Sequence, residues 1–524
     1  MALTKVSYSM ITGAVANVLD FGATGDGTTN DTAAIQAAID YIDTLGNGAV
    51  YLPAGTYKLT SALLVPYGVS IFGAGSTASI LSCLNCDGLN FDSASYDGGN
   101  MFYSDFGITS HAGTTGNWAG VVSILPSGGT FGVDSRDGLY FYRLRIFDLN
   151  QAFIFNATWE SHINECRVFR CNQAVSLGNY AMLFRITDCN FTYEGGWATG
   201  SADKRCVELL GTVTEGAMIR GCQLYGFPTA LFVGNATFAI FNDNDLYGTN
   251  YGVNLVGAAN TGMSIQNNYF EISADNAIGI QGGIQNTEIS NLVEVVNNVF
   301  ISAGGVTGTR GISVGTSLGT FQWNWRIRDN HFLGIQTADI QVFNAKNVII
   351  SGNRFDSTAP TNNITIVGGS APYDSNYVMN NRLAKGISAE AADVADGRVM
   401  IYHNIISGVQ TFGEVIFDEI KSTGNIYTHY DASFVNTAAN FDVNYVLPDT
   451  SMHLVTAYME TATNTHLGPG VYAVVRQGTS STVATITAFA GMTVTVTGAY
   501  KLNFANATGT NGIIKVSLTK TMIP

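Results

Sequence analysis

The sequence predicts an all-β protein: a parallel β-helix opened by a short N-terminal capping helix and followed by a C-terminal antiparallel β-sandwich. The first observation behind this is a recurring phrase, hydrophobic-x-x-[Cys/Asn]-x-hydrophobic, whose central residue runs Cys166, Cys189, Cys222, Asn244, Asn268, Asn298, Asn330, Asn353 and Asn381. Copies lie roughly 22 to 33 residues apart, the period range of a solenoid. The second is the character of each copy. Ile163-Asn164-Glu165-Cys166-Arg167-Val168 and Ile265-Gln266-Asn267-Asn268-Tyr269-Phe270 are short and alternating, which suits a strand that buries every second side chain. A Cys or Asn at the same point of every turn implies an interior stack, in which amides can hydrogen-bond along the axis and so offset the cost of their burial. The third is composition: 59 Gly against 9 Pro, as expected of many strands joined by tight bends.

Taken in order, residues 1–17 read as a connecting arm, 18–75 as the cap and first rungs, 76–388 as the β-helix and 398–524 as the sandwich. The opening is Val18-Leu19-Asp20-Phe21-Gly22-Ala23-Thr24-Gly25-Asp26-Gly27, then Asn30-Asp31-Thr32. Asn30 or Asp31 can cap a helix through Ala33 to Ile39 by accepting its first free amides, and Gly46 and Gly48 end it. Val50-Tyr51-Leu52-Pro53-Ala54-Gly55-Thr56-Tyr57 follows as strand, turn and strand. A helix here covers a first rung whose core would otherwise be open. The phrases end near Leu383, and Ala389 to Asp396 breaks the pattern. Beyond residue 398 come alternating runs such as Val471-Tyr472-Ala473-Val474-Val475 and Met492-Thr493-Val494-Thr495-Val496, separated by Gly-containing turns, which read as antiparallel strands.

The DFGAxGDG run, the ND(T)xA(I)QxA helix and the LPxGxY turn together resemble the pectate-lyase-like right-handed parallel β-helix superfamily. With the preceding Val6-Ser7-Tyr8-Ser9-Met10-Ile11, the opening resembles phage tailspike depolymerases. The motif resemblance spans residues 6 to about 75, and the repeat carries it to about 385. It implies a homotrimer on the virion that binds and cleaves bacterial capsule or O-antigen polysaccharide. It also implies attachment to the phage tail or baseplate through the N-terminal arm or a missing N-terminal domain. The C-terminal module then serves trimerisation or further carbohydrate contacts.

Charged residues make up 12% of the chain and the net charge is -15, which argues against nucleic acid or an anionic membrane as partner. There is no apolar run long enough for a membrane span, and no basic-then-apolar leader. Seven cysteines, three of them at ladder positions, read as small buried hydrophobes. Cys83 and Cys86 have metal-like spacing, yet no second pair or His cluster completes a zinc site, so neither a metal nor a cofactor is expected.

Chemistry is expected where rungs are lengthened. The longest excess, between Cys189 and Cys222, carries Glu194, Trp197, Asp203, Lys204 and Arg205 before a strand holding Glu208. Further long bends run from Gly282 to Leu292, Ala303 to Arg310 and Thr316 to Trp325. A glycosidase needs two carboxyl groups about 5 to 5.5 Å apart for retention or about 6.5 to 9.5 Å for inversion. Glu194 and Glu208 are the first candidates, then Asp203, Glu271 and Asp275. Glu271 lies three positions after Asn268, so if Asn268 and Phe270 point inward it points outward, near Tyr247 of the preceding rung. A lyase needs a base beside a uronate and a cation to hold the developing charge, for which Lys204, Arg205 and Arg310 are available and His162 or His331 could be the base. Trp197, Trp323 and Trp325 are candidate sugar-stacking surfaces, a trimer seam being the competing role. Endo-glycosidase action is the first reading, β-elimination the second, and a non-cleaving glycan adhesin the third.

Overall fold

The ladder residues sit where a coil of parallel strands turns its corner. The computed structural model describes residues 15–406, apart from 92–99, 113–115, 125–135, 194–203, 211–213, 257–259, 274–276, 283–290, 303, 305, 316–321, 344, 368–375, 390–398 and 403; beyond these it describes the strands between 418 and 521. Residues 1–316 and 317–524 form two compact units.

In the first unit each rung gives one strand to each of three parallel sheets, here A, B and C. One rung, for example, runs His162–Asn164 in sheet A, Arg167–Phe169 in sheet B and Gln173–Leu177 in sheet C, and the next begins with Arg185–Thr187 back in sheet A. The corner between sheets A and B is made by one residue in the left-handed region, such as Asp188 (φ 55°), Asp243 (φ 57°), Asn267 (φ 56°) or Asn297 (φ 54°). Asn and Asp tolerate this conformation best, which explains the Asn-Asn pairs of the repeat. The ladder residue follows and points inward, fully buried from Cys166 to Asn298.

The amides bond along the axis as the sequence implies. Asn268 donates from Nδ2 to the Phe241 carbonyl (2.8 Å) and to Asn298 Oδ1 (2.9 Å). Its own Oδ1 accepts from the Asn244 amide (2.9 Å) and from Asn244 Nδ2 (3.0 Å). At the thiol positions Sγ instead approaches backbone carbonyls, as Cys189 does those of Ile163 and Thr187. Rings stack beside the ladder, Phe270 on Phe300 at 4.7 Å.

The opening motif is one device for closing the coil's first end. The helix α1 (Thr32–Thr44) buries Ile35, Ala38, Ile39 and Ile42. Asp31 makes no side-chain cap to it. Its carboxylate instead accepts from the Thr24 amide (2.7 Å), the Thr24 hydroxyl (3.1 Å) and the Gly25 amide (3.1 Å), tying the DFGATGDG loop to the helix. Asn30 Oδ1 takes the Thr32 amide (3.1 Å). Gln36 replaces a missing strand: its side-chain amide accepts from Leu64 N and donates to Leu64 O, both at 2.9 Å, covering the edge of Leu63–Val65, the end strand of sheet C. A Cβ on Gly55 would lie 2.9 Å from the Gly25 carbonyl, so the turn and the loop need that glycine to meet. Ala16–Asn17 already pairs with Val50 and Tyr51, so the coil begins two residues inside the expected arm.

In the second unit the parallel pattern holds from Gln322–Arg328 onward, with Asn330, Asn353 and Asn381 bonded in series. The ladder does not stop at Asn381. Asn381 Nδ2 donates to Asn404 Oδ1 (2.9 Å), and Val399–Tyr402 and Ile405–Ile406 pair in parallel with the preceding rung. Residues 399–406 are therefore coil rather than the start of the sandwich. The remaining strands are antiparallel: the hairpin Asp418–Ser422 with Asn425–His429, one sheet of five strands and one of three.

Candidate functional site

The ladder fixes which side chains face outward on sheet B: those one and three positions after each ladder residue. Register aligns them into two columns. The first runs Arg145, Arg167, Asn190, Gln223, Asp245 and Tyr269; the second runs Phe147, Phe169, Thr192, Tyr225, Tyr247 and Glu271. One end of this face is basic and aromatic and the other acidic and aromatic.

At the acidic end Tyr247 and Glu271 are direct register partners, as are Asp245 and Tyr269. The tyrosine rings are 5.6 Å apart, and Tyr225, 53% exposed, continues the row at 6.4 Å. Both phenols are harder to ionise than usual, first through burial and then because Asp245 and Glu271 repel a phenolate. With strands about 4.8 Å apart and about 6.6 Å for two residues along a strand, the backbones of Asp245 and Glu271 stand about 8 Å apart on the diagonal. Two carboxylates flank two ring faces on open, half-buried ground: acid–base groups beside a surface onto which a sugar's C–H face can stack.

Of the acids expected to share a site, Glu271 lies where the ladder places it, beside Tyr247. Glu194, Asp203, Asp275 and Trp197 fall outside the described residues. Glu208 is on sheet C, a different face of the coil from Glu271, and does not stand free. Arg205 Nη1 donates to one of its carboxylate oxygens and Gln173 Nε2 to the other, while Gln151 donates to Gln173. The Arg205 guanidinium lies 3.4 Å from the centre of the Phe232 ring. This network, buried at Glu208, engages Arg205 and Glu208 with each other, not as separate groups facing a ligand.

Lys204 is held over the Tyr193 ring at 4.4 Å. Arg310 continues the outward column of sheet C next to Ile278. Trp323 is exposed, but Trp325 is fully buried, which overturns its expected place as a sugar-stacking residue. It lies two positions before the inward Ile327 along Gln322–Arg328, so strand parity turns it into the core. His162 Nε2 meets the Thr187 hydroxyl at 2.6 Å, and its pKa is lowered by burial and then by Arg185. His331 pairs with Asp356 at 2.9 Å. Asp245, Tyr225 and Tyr269 did not emerge from bend lengths because they sit in ordinary rungs; reading the first and third residue after each ladder position would have found them. Among the described residues no group of three or more His, Cys, Asp or Glu is placed to hold a metal ion, and the seven cysteines are free and buried.

Residues 15–105 match the family described as Rhamnogalacturonase A/epimerase, pectate lyase-like. Mannuronan C5-epimerase AlgE3 of Azotobacter vinelandii is 46% identical over 76 residues, 13% of this chain and 4% of that protein. The tail spike protein of Shigella phage Sf6 is 24% identical over 192 residues, 34% of this chain and 28% of that protein. The chain thus spans only a minor part of these relatives. A solved tailspike protein of E. coli bacteriophage HK620, a double mutant, aligns with 99% of this chain and 97% of its own at 13% identity and a TM-score of 0.47. The class defined by the coil is the parallel β-helix, and its opening is similar to a pectate-lyase-like family. Within that class, the family match and the tail spike relative are consistent with a phage tailspike.

Proposed function

We propose that this chain is the body of a virion-borne phage tailspike, acting as a homotrimer that binds and depolymerises a capsule or O-antigen polysaccharide on the host surface by endo-glycosidic hydrolysis. The observation that carries the reading is the cluster of Asp245, Tyr247, Tyr269 and Glu271 on sheet B. Two acids on adjacent rungs, two positions apart along the strand, are near enough to act as a glycosidase pair, and inversion is the form proposed. One carboxyl protonates the leaving glycosidic oxygen, the other draws a proton from the attacking water, and the tyrosine faces hold the ring between them.

Asp245→Asn and Glu271→Gln should each lower the release of reducing ends by about a hundredfold or more, with glycan binding and trimer mass by light scattering unchanged. Products should lack the ultraviolet absorbance of an unsaturated uronate; its appearance would establish elimination instead. Undiminished glycan length after prolonged incubation would leave an adhesin. Loss of turnover in Glu194→Gln or Glu208→Gln, with full activity in the sheet B variants, would move the site to the bend after Thr192 and the strand Arg205–Leu209.

A further inference from the structure

The basic end of the same face holds two unspent cations. Arg145 and Arg167 are register partners on adjacent strands of sheet B, so their side chains leave the coil side by side, about 4.8 Å apart at the backbone. Like charges directly opposite each other weaken a sheet. Neighbouring arginines resolve this with acids: Arg143 pairs with Asp105 at 2.7 Å, and Arg170 with both oxygens of Asp148 at 2.5 and 2.6 Å. Arg145 and Arg167 form no ion pair among the described residues.

Their support is rigid. The Phe147 and Phe169 rings stack at 4.8 Å, only 5° from parallel. The Arg145 guanidinium lies over both, at 4.9 and 4.6 Å. Ring contact uses none of the guanidinium's N–H donors, and its planar fork matches a carboxylate in a two-pronged hydrogen bond. In a chain of net charge -15, this local pair is not part of a general basic surface. From Arg167 the column continues through Asn190 and Gln223, which bond to each other at 2.7 Å, to Asp245, three rungs or about 14 Å further on. The exposed Tyr225 lies beside that path.

We propose that Arg145 and Arg167, on the Phe147–Phe169 platform, form a subsite for a carboxylate-bearing sugar of the polysaccharide that Asp245 and Glu271 act on. The substrate is therefore an acidic polysaccharide; this rests on the glycan-binding reading of sheet B above. The arginines grip a charged unit several sugars from the reacting bond and set the register of the chain along sheet B.

The test is a panel of acidic and neutral bacterial surface polysaccharides, with polymannuronate, each acidic member paired with its carboxyl-reduced form. Binding is measured by calorimetry at low and high salt on the Glu271→Gln protein, so that turnover does not consume ligand. The glycans bound should be acidic, with affinity falling about tenfold or more on carboxyl reduction and with rising salt. Arg145→Gln and Arg167→Gln, checked for an unchanged circular dichroism spectrum and melting temperature, should bind native and reduced forms alike. Binding only to neutral glycans, to none of the panel, or with the parent preference in both arginine variants would overturn the proposal. Cleavage of a neutral glycan would refute this subsite while leaving the hydrolase reading intact; arginine-dependent binding of an acidic glycan without cleavage would do the reverse.

Discussion

Removing one rung of the amide ladder tests both the fold and its link to the site. Asn268→Ala deletes four hydrogen bonds: two from Nδ2, to the Phe241 carbonyl and Asn298 Oδ1, and two into Oδ1, from the Asn244 amide and Asn244 Nδ2. The Asn244 amide is left buried without that acceptor, at about 1 to 3 kcal/mol, and each of the other three bonds contributes about 0.5 to 1.5 kcal/mol. The expected loss is about 2.5 to 7.5 kcal/mol. Cys189→Ala is the control, since Sγ makes only weak bonds at 3.6 and 3.2 Å and its loss should cost about 1 to 2 kcal/mol. Unfolding rates in guanidinium chloride suit a long coil that need not refold reversibly. Asn268 directly precedes Tyr269–Ile272, so the variant should also lose turnover through displacement of Tyr269 and Glu271. If Asn268→Ala unfolds no faster than Cys189→Ala, the ladder bonds do not hold the coil and the argument from buried amides fails.

Three further outcomes are expected. Asp339 is fully buried; its Oδ2 accepts from Asn363 at 2.6 Å, its Oδ1 has no hydrogen-bond partner among the described residues, and burial pushes its pKa up to about 7. Because the folded value lies above the ordinary 3.8, stability is greatest below about pH 4 and falls as pH rises toward 7, by up to about 4 kcal/mol. Asp339→Asn should flatten that part of the melting temperature against pH curve; an equal slope in the variant would assign the dependence elsewhere. Arg205→Gln should cost about 2 to 4 kcal/mol because it strands the buried Glu208 carboxylate, Glu208→Gln should cost less because Arg205 is partly exposed, and the double variant should cost less than their sum; additive losses in chemical denaturation would show that the pair does not act together. Gln36→Ala should expose the backbone of Leu64, raising its amide hydrogen-exchange rate while the ladder amides near Asn268 stay protected; unchanged exchange at Leu64 would mean the edge is covered by something else.

Much of this was legible in the residues. The alternation around each Cys or Asn gave the coil, its inward column and the outward position of Glu271, because strand parity is a local property. The same phrase, read one copy further at Ile401-Tyr402-His403-Asn404-Ile405-Ile406, contains the rung that a boundary near Leu383 omitted. Parity counted back from Ile327 would likewise have placed Trp325 inside. The opening motif foretold a capping helix, though not that Asp31 would serve the loop rather than the helix.

The sequence by itself determined the repeat, the buried ladder and the parity of each strand, since these depend on residues a few positions apart. Only the tertiary structure decided where outward side chains away from the ladder lie and which groups they meet. Three sheets divide the outward residues of every rung, and bends of unequal length uncouple separation along the chain from separation in space. Glu208 and Glu271 are thereby parted onto different sheets, while Arg205 closes on Glu208 and Gln173 reaches it from a neighbouring strand. Register between successive rungs, set by stacking of the core, is what joins Asp245 to Glu271 and aligns both with Arg145 and Arg167.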